Sequence, residues 1–324
     1  MGKQFRVNRQ VGVQNVVAGG FVTFDLPRQY DCEAVFFRLT GQVQVTTGYT
    51  TVRAEAPTQA IARVELIADG KNTIYSAPFW NAVFAHPDRE SMDNGAELAT
   101  PPSGVAVATY NITATGVVDL QSPDTVRPKD SNFRTSGLQL WQARVSFGNP
   151  GDMFTGAGVS VFVGCTVECW VQECVELPDT AGVYTKPLML KKVSYQEQAM
   201  PATTPNQEFR LPAGNLIRSL FLRTEISGEP SAAVLNAAQA FAGVDVRYNL
   251  KGAQIRGKAA HDYGRMSQVG YYPIDFLSTG KSDYRLTDLW DVTGQAEPKL
   301  SCDVVGSANT KAQVIVTEYI PIAQ

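Results

Sequence analysis

The sequence contains one stretch twice, and that duplication constrains the fold more than any other feature. Phe24-Asp25-Leu26-Pro27, leading to Phe36-Phe37-Arg38, returns as Phe209-Arg210-Leu211-Pro212, leading to Phe221-Leu222-Arg223. The offset is 185 residues, and five of the fifteen positions from Phe24 to Arg38 are identical, where average residue usage would give roughly one. Further along, Gln59 to Leu66 aligns with Gln239 to Val246 at an offset of 180. On that alignment the connection between the two blocks is five residues shorter in the second copy, a change that a surface loop absorbs. Copies spaced by about half the chain predict two similar domains rather than a solenoid of short repeats. The length of 324 residues agrees, since single cores stop growing at roughly 250–300 residues.

Hydrophobic periodicity within each copy is mostly that of strands. Phe21 to Leu26 alternates and stops at Pro27, Ala34 to Leu39 is continuously apolar, and Gln42 to Thr47 alternates again. Ala60 to Ala68 reads as a strand ended by the turn pair Asp69-Gly70. Ser76 to Arg89 changes period: Ser76 offers a cap, Pro78 sits in the first turn, and Phe79, Trp80, Val83 and Phe84 recur at helical spacing. That aromatic stripe is expected in the core. Asp88 to Ser136 is irregular and proline-bearing, with strands at Val105 to Thr113 and Thr115 to Leu120. Leu138 to Phe147 and Val159 to Leu177 read as strands, the latter alternating around Val161, Val163, Val167 and Val171. The second half repeats this order, with strands at Lys191 to Gln196, Gln207 to Leu211, Ile217 to Ile226 and Ala240 to Tyr248. A weak helix at Gly257 to Gln268 follows, then strands at Tyr271 to Leu277, Tyr284 to Leu289, Leu300 to Val305 and Gln313 to Ile320. About eight strands per half, joined by loops too long for tight hairpins, predict an all-β chain of two tandem eight-stranded jelly-roll barrels with short helices and long loops. The expected parts are an N-terminal arm at 1–20, a first barrel at 21–178 and a second at 183–324, divided at Pro178 to Gly182.

Charged residues are 18% of the chain and the net charge is −3, a balance that argues against coating nucleic acid electrostatically. It suits a protein whose surface is largely covered by neighbours. The five cysteines lack CxxC spacing and read as buried free thiols of a protein made in a reducing cytoplasm. Neither a secretory signal nor a membrane-spanning run of 18 apolar residues is visible. None of the common nucleotide-binding, hydrolase or metalloprotease motifs is present. Two histidines, His86 and His261, one per half, leave little room for histidine-based catalysis. Asp303 with Glu318, or Glu168 with Glu173, are candidate hydrolytic pairs of unspecific spacing, better read as solvent-facing strand positions. Carboxylates near Asp283 and Asp288 could hold calcium, though no ligand pattern is readable and no cofactor is expected. Lys3, Arg6 and Arg9, without an acidic neighbour in Met1 to Gly20, read either as part of a solvated strand at Phe5 to Val13 or as an arm against an anionic surface.

Two similar halves, each carrying an F-x-L-P strand, a strand ending in Phe-Phe-Arg or Phe-Leu-Arg, a strand like Ala62 to Gly70 and a short helix, resemble the double jelly-roll major capsid proteins. The resemblance is to those of tailless, icosahedral, membrane-containing bacteriophages, such as phage PM2 and its relatives. It rests on Phe24 to Pro27, Val35 to Gly41, Ile61 to Gly70 and Ser76 to Phe84, with Phe209 to Pro212, Leu220 to Arg223, Phe241 to Val246 and Tyr271 to Phe276. It implies a non-enzymatic virion protein that forms pseudo-hexameric homotrimers. Its implied partners are neighbouring trimers, penton or vertex proteins and an internal membrane, without sequence-specific nucleic acid binding. On that reading Lys3, Arg6 and Arg9 lie at the inner end, where an anionic leaflet would attract them, and Asp88 to Ser136 is an outward or intertrimer loop. Two rivals follow from the same residues. A two-domain cupin needs more histidines than one per half. A sugar-binding adhesin or spike module would use Trp141, Trp170 and Trp290, which sit inside apolar runs and read as core.

Overall fold

The computed structural model describes residues 4–84, 96–98, 105–122, 131–176, 189–263, 267–276, 289–295 and 297–322. Contacts divide the chain into two compact units, Met1–Leu190 and Lys191–Gln324; the expected boundary at Pro178 to Gly182 lies outside the described residues. The first unit contains β1 (Gln4–Asn15), β2 (Phe21–Asp25), β3 (Asp31–Thr47), β4 (Thr51–Val52), β5 (Ile61–Ala68), β6 (Asn72–Ala77), α1 (Phe79–Phe84), β7 (Ala96–Leu98), β8 (Ala108–Asp119), β9 (Trp141–Phe147), β10 (Phe154–Thr155) and β11 (Val159–Glu176). The second contains β12 (Met189–Ala199), β13 (Thr204–Arg210), β14 (Leu216–Ile226), β15 (Glu229–Pro230), β16 (Leu235–Ala242), β17 (Asp245–Lys251), α2 (Gly252–Tyr263), β18 (Tyr271–Asp275), β19 (Trp290–Asp291), β20 (Lys299–Val304) and β21 (Thr310–Pro321).

Within each unit the principal strands form two facing sheets. In the first unit the orders are β1-β11-β3-β8 and β2-β9-β5-β6; in the second they are β12-β21-β14-β18 and β13-β20-β16-β17. The two units therefore match strand for strand, and every neighbour is non-consecutive except the β5–β6 and β16–β17 hairpins. This is the jelly-roll path, twice. The F-x-L-P motif is legible in these terms. Phe24 and Leu26, like Phe209 and Leu211, are two residues apart and so share the core-facing side, and all four are buried. Leu26 donates its N–H to the Trp141 carbonyl at 2.8 Å and Leu211 to the Pro298 carbonyl at 2.9 Å. Pro27 and Pro212 come next and cannot donate to a ladder, so pairing stops there.

The second repeat block needs realignment. Phe24 and Leu66 both pair with Ala143 of β9, while Phe209 and Ala240 both pair with Leu300 of β20. Leu66 thus corresponds to Ala240, an offset of 174 rather than 180, and β5 and β16 carry the same order of buried and exposed positions. Ala240 to Tyr248 is accordingly a hairpin turning at Gly243-Val244, not a single strand.

Other differences have local causes. Ser76 is not a helix cap: it lies in β6 and accepts hydrogen bonds from Arg63 Nε at 2.9 Å and Nη2 at 2.6 Å. The helix begins at Phe79, after Pro78. Phe79 and Trp80 are buried, as core residues should be. Gly116 makes room for Phe79, because a Cβ there would stand 2.5 Å from the Phe79 ring. The expected breaks at Thr40-Gly41 and at Ala114 vanish, giving the long strands β3 and β8. Met1 to Gly20, expected as an N-terminal arm or as a strand at Phe5 to Val13, contains the strand, β1, which pairs with β11 from Gln4↔Glu176 to Asn15↔Thr166. The helix expected at Gly257 to Gln268 runs instead over Gly252–Tyr263.

Candidate assembly surface

The first unit's sheet β1-β11-β3-β8 turns one face to the core and one outward. Val35, Phe37 and Leu39 on β3, with Val167, Cys169 and Val171 on β11, point inward and are buried. Phe36 and Trp170 are directly opposed across the same two strands and point outward, half-buried, with ring centroids 5.2 Å apart and planes within 6°. Trp141 and Trp290 are buried as expected; Trp170 is the exception, lying on the outer face of its sheet.

A bulge divides β11. The register shifts between Val163 and Thr166, where Gly164 takes φ +59°, and Gly41 lies opposite, so close that a Cβ would meet the Cys165 Cα at 2.5 Å. The extra residue reverses which side chains face out. Val159, Val161 and Val163 are therefore exposed (54%, 45% and 39%), whereas Cys165, Val167, Cys169 and Val171 are buried. The continuous alternation expected from Val161 to Val171 is broken at this point.

At the other end of the sheet two cations meet buried carboxylates. Arg6 Nε lies 2.6 Å from Glu33 Oε2, which also accepts from Gln172 Nε2 at 2.6 Å. Arg9 Nε lies 3.3 Å from Glu173, whose side chain is only 1% exposed. Lys3 lies outside the described residues. Burial raises the Glu173 pKa, while Arg9 and the Tyr30 backbone N–H oppose the rise. A carboxyl raised in the folded state contributes stability below its unfolded pKa and loses it as pH climbs through the folded value. Glu173→Gln should therefore gain thermal stability relative to wild type as pH rises from 4 to 7. Paired melts at the two pH values check this; a variant that falls further behind at pH 7 would show that the Arg9 pair outweighs the cost of burial.

The second unit buries its own charges. Arg218 Nη1 donates to Asp275 Oδ2 at 2.7 Å, each side chain 4% exposed. Arg223 is buried and donates to Glu225 and to Gln313 Oε1 (3.0 Å). The Gln313 amide in turn donates to Glu197 at 2.8 Å, which also accepts from the Tyr195 hydroxyl at 2.6 Å. Sequence reasoning missed these partners, since alternation alone assigns a charged strand residue to solvent.

Within each candidate hydrolytic pair the two carboxylates have different surroundings. Asp303 Oδ1 accepts from Asn236 at 3.5 Å, while Glu318, fully buried, accepts from Asn215 at 2.6 Å and faces Lys192 at 3.4 Å. Glu168 is opposite Arg38 in the ladder and half-exposed, unlike buried Glu173. His261 is exposed beside Asp262 at 3.0 Å, and His86, Asp283 and Asp288 lie outside the described residues. None of the five cysteines is in a disulfide, and all are buried. Burial pushes the Cys302 thiol up to about 12 and raises Cys32, Cys165 and Cys169 as well, which opposes thiolate chemistry. Among the described residues no three His, Cys, Asp or Glu side chains come together as a metal site.

Two jelly rolls of matching topology in one chain define the double jelly-roll class. Among solved structures, the chain is similar to the major capsid protein of Sulfolobus turreted icosahedral virus, with TM-score 0.73 and 15% identity over 99% of this chain and 97% of that one. It is similar also to the major capsid protein of bacteriophage PM2 (TM-score 0.63, 14% identity, 99% of each chain) and to the Faustovirus major capsid protein (0.64, 8%, 100% and 91%). No family model matches, and a search of curated proteins finds no match. At such identities the likeness establishes a shared fold.

Proposed function

We propose that this chain is a major capsid protein that tiles an icosahedral viral shell and resides in the virion. The observation that carries this reading is full-length likeness: the structural correspondence runs over nearly the whole of both chains, including the duplication, with no domain left over on either side. Geometry supplies the mechanism. Three chains with two similar barrels each present six roughly equivalent lobes, so a homotrimer is a pseudo-hexamer that can tile a hexagonal lattice. Lateral faces then meet neighbouring trimers and, at the fivefold positions, vertex proteins, and no catalytic group is required.

The expected result is a native mass of about 106 kDa, three chains of 35.2 kDa, by light scattering coupled to size exclusion, with a hexagonal outline in negative stain. A stable monomer that binds glycans would overturn it in favour of the adhesin reading. For an internal membrane, Lys3 is the residue to test. Arg6 and Arg9 already neutralise Glu33 and Glu173, so reversing their charge would set like charges together at buried sites. Lys3→Glu in the same trimer should weaken flotation with anionic liposomes while leaving the mass unchanged; unaltered flotation would remove Lys3 from that role. The outward or intertrimer role expected of Asp88 to Ser136 belongs to the same proposal for the connections around β8 (Ala108–Asp119), which itself pairs with β3 within the sheet.

A further inference from the structure

The sheet β1-β11-β3-β8 of the first unit is electrically polarised along its strands. Arg6, Arg9, Asp31, Glu33, Arg38, Asp119, Glu168, Glu173 and Glu176 all belong to one end. Beyond the Arg38↔Glu168 row no Asp, Glu, Lys, Arg or His occurs on four adjacent strands: Gln14–Asn15 of β1, Val159–Val167 of β11, Leu39–Thr47 of β3 and Ala108–Ala114 of β8. Glu97 on β7, paired with Thr113, marks the far border. Depletion of charge marks the centre of a protein interface.

This neutral end also has an unpaired strand edge. β1 pairs with β11 only from Thr166 to Glu176, and its last link is the Val16 N–H to the Cys165 carbonyl at 2.9 Å. Among the described residues no strand pairs the other side of Val159–Val163, a segment that reads Val-Ser-Val-Phe-Val and holds three exposed valines. Folded proteins normally blunt such an edge with charge, proline or a cover. The first unit's β1 carries Arg6 and Arg9, and in the second unit β17 carries Asp245, Arg247 and Lys251 and β13 carries Glu208 and Arg210. Val159–Val163 carries no charge or proline, and among the described residues no strand covers it.

We infer that Val159–Val163 pairs antiparallel with the same segment of a second copy of this chain, about a two-fold axis through Val161. Charge selects this occupant. A two-fold sets each side chain near its own kind, which penalises a charged edge through like-charge contact and leaves a neutral one unpenalised. Main-chain hydrogen bonds continue the sheet across the axis, and the exposed valines cover one another. The bulge at Gly164–Cys165 is what turns those valines outward. In a shell this contact would join trimers; it does not depend on the shell, because an edge-paired dimer can form in a chain that builds none.

The test uses the full chain with single cysteines, the native thiols being buried. Across the axis residue 161 faces its own mate at about 4.5–5.5 Å between Cα atoms, within disulfide reach. Residue 163 lies about 13 Å from its mate, four residues along the strand. Diamide, taking up the two thiol hydrogens, should convert Val161→Cys to a disulfide-linked dimer at least about tenfold more than Val163→Cys. Val161→Lys should weaken association between trimers by about tenfold or more, with circular dichroism melts reporting an intact fold. Equal cross-linking at the two positions, or none at Val161→Cys in concentrated protein, overturns the inference. A monomeric native mass with efficient cross-linking at 161 would instead overturn the trimer and leave the edge contact standing.

Discussion

Replacing Arg218 by Met should lower the stability of the second unit by about 3–5 kcal/mol, because the change strands a buried carboxylate. Arg218 and Asp275 are 2.7 Å apart with side chains only 4% exposed. The pair bridges β14 and β18, where Ser219 and Asp275 are opposed and Phe276 donates its N–H to the Arg218 carbonyl at 3.2 Å. Two desolvated charges at that distance roughly offset their own burial, so removing both costs far less than removing one. Arg218→Met with Asp275→Leu should therefore recover all but about 1–2 kcal/mol of the single-variant loss. Chemical denaturation of the four proteins of the cycle measures this. A double variant as unstable as the single would show that the pair is not a unit.

The second large effect belongs to Gly41. Its φ is +149°, and a Cβ would stand 2.5 Å from the Cα of Cys165 and 2.6 Å from its Sγ. The obstructing Cα belongs to the bulge itself, so the neighbour cannot yield without undoing the register shift that turns Val159, Val161 and Val163 outward. Strain and overpacking together set the expected loss for Gly41→Ala at about 2–6 kcal/mol. Gly164→Ala provides the contrast. That residue also has positive φ, +59°, but nothing stands within 4 Å of a Cβ. Only the backbone term applies there, about 1 kcal/mol. Thermal melts of the two variants should differ accordingly, and equal losses would mean that the close approach of the two strands is not what Gly41 serves. Gly41→Ala should also impair edge pairing at Val161, because the outward turn of the valines depends on the same bulge.

The sequence by itself determined the duplication, the all-β class and most strand positions. The reason is that burial on one face of a sheet imposes a period of two that can be read from side chains alone. Phe24, Leu26 and Pro27, with Phe209, Leu211 and Pro212, showed both the inward pair and the end of the ladder. What only the tertiary structure decided follows from contacts between distant segments. The true correspondence of Leu66 with Ala240 emerges from shared partners on β9 and β20, because small alanines in β16 do the work of larger residues in β5. The hairpin at Gly243-Val244 was hidden inside one apolar run. The carboxylate partners of Arg6, Arg9, Arg218 and Arg223 lie 27, 164, 57 and 2 residues away in sequence, all but Glu225 on another strand, and alternation carries no information about which carboxylate a cation meets. The reversal of side-chain direction in β11 depends on Gly41 and Gly164, 123 residues apart, allowing two backbones to approach more closely than any side chain permits. A one-residue bulge is invisible in composition, yet it moves every residue beyond it to the opposite face of the sheet.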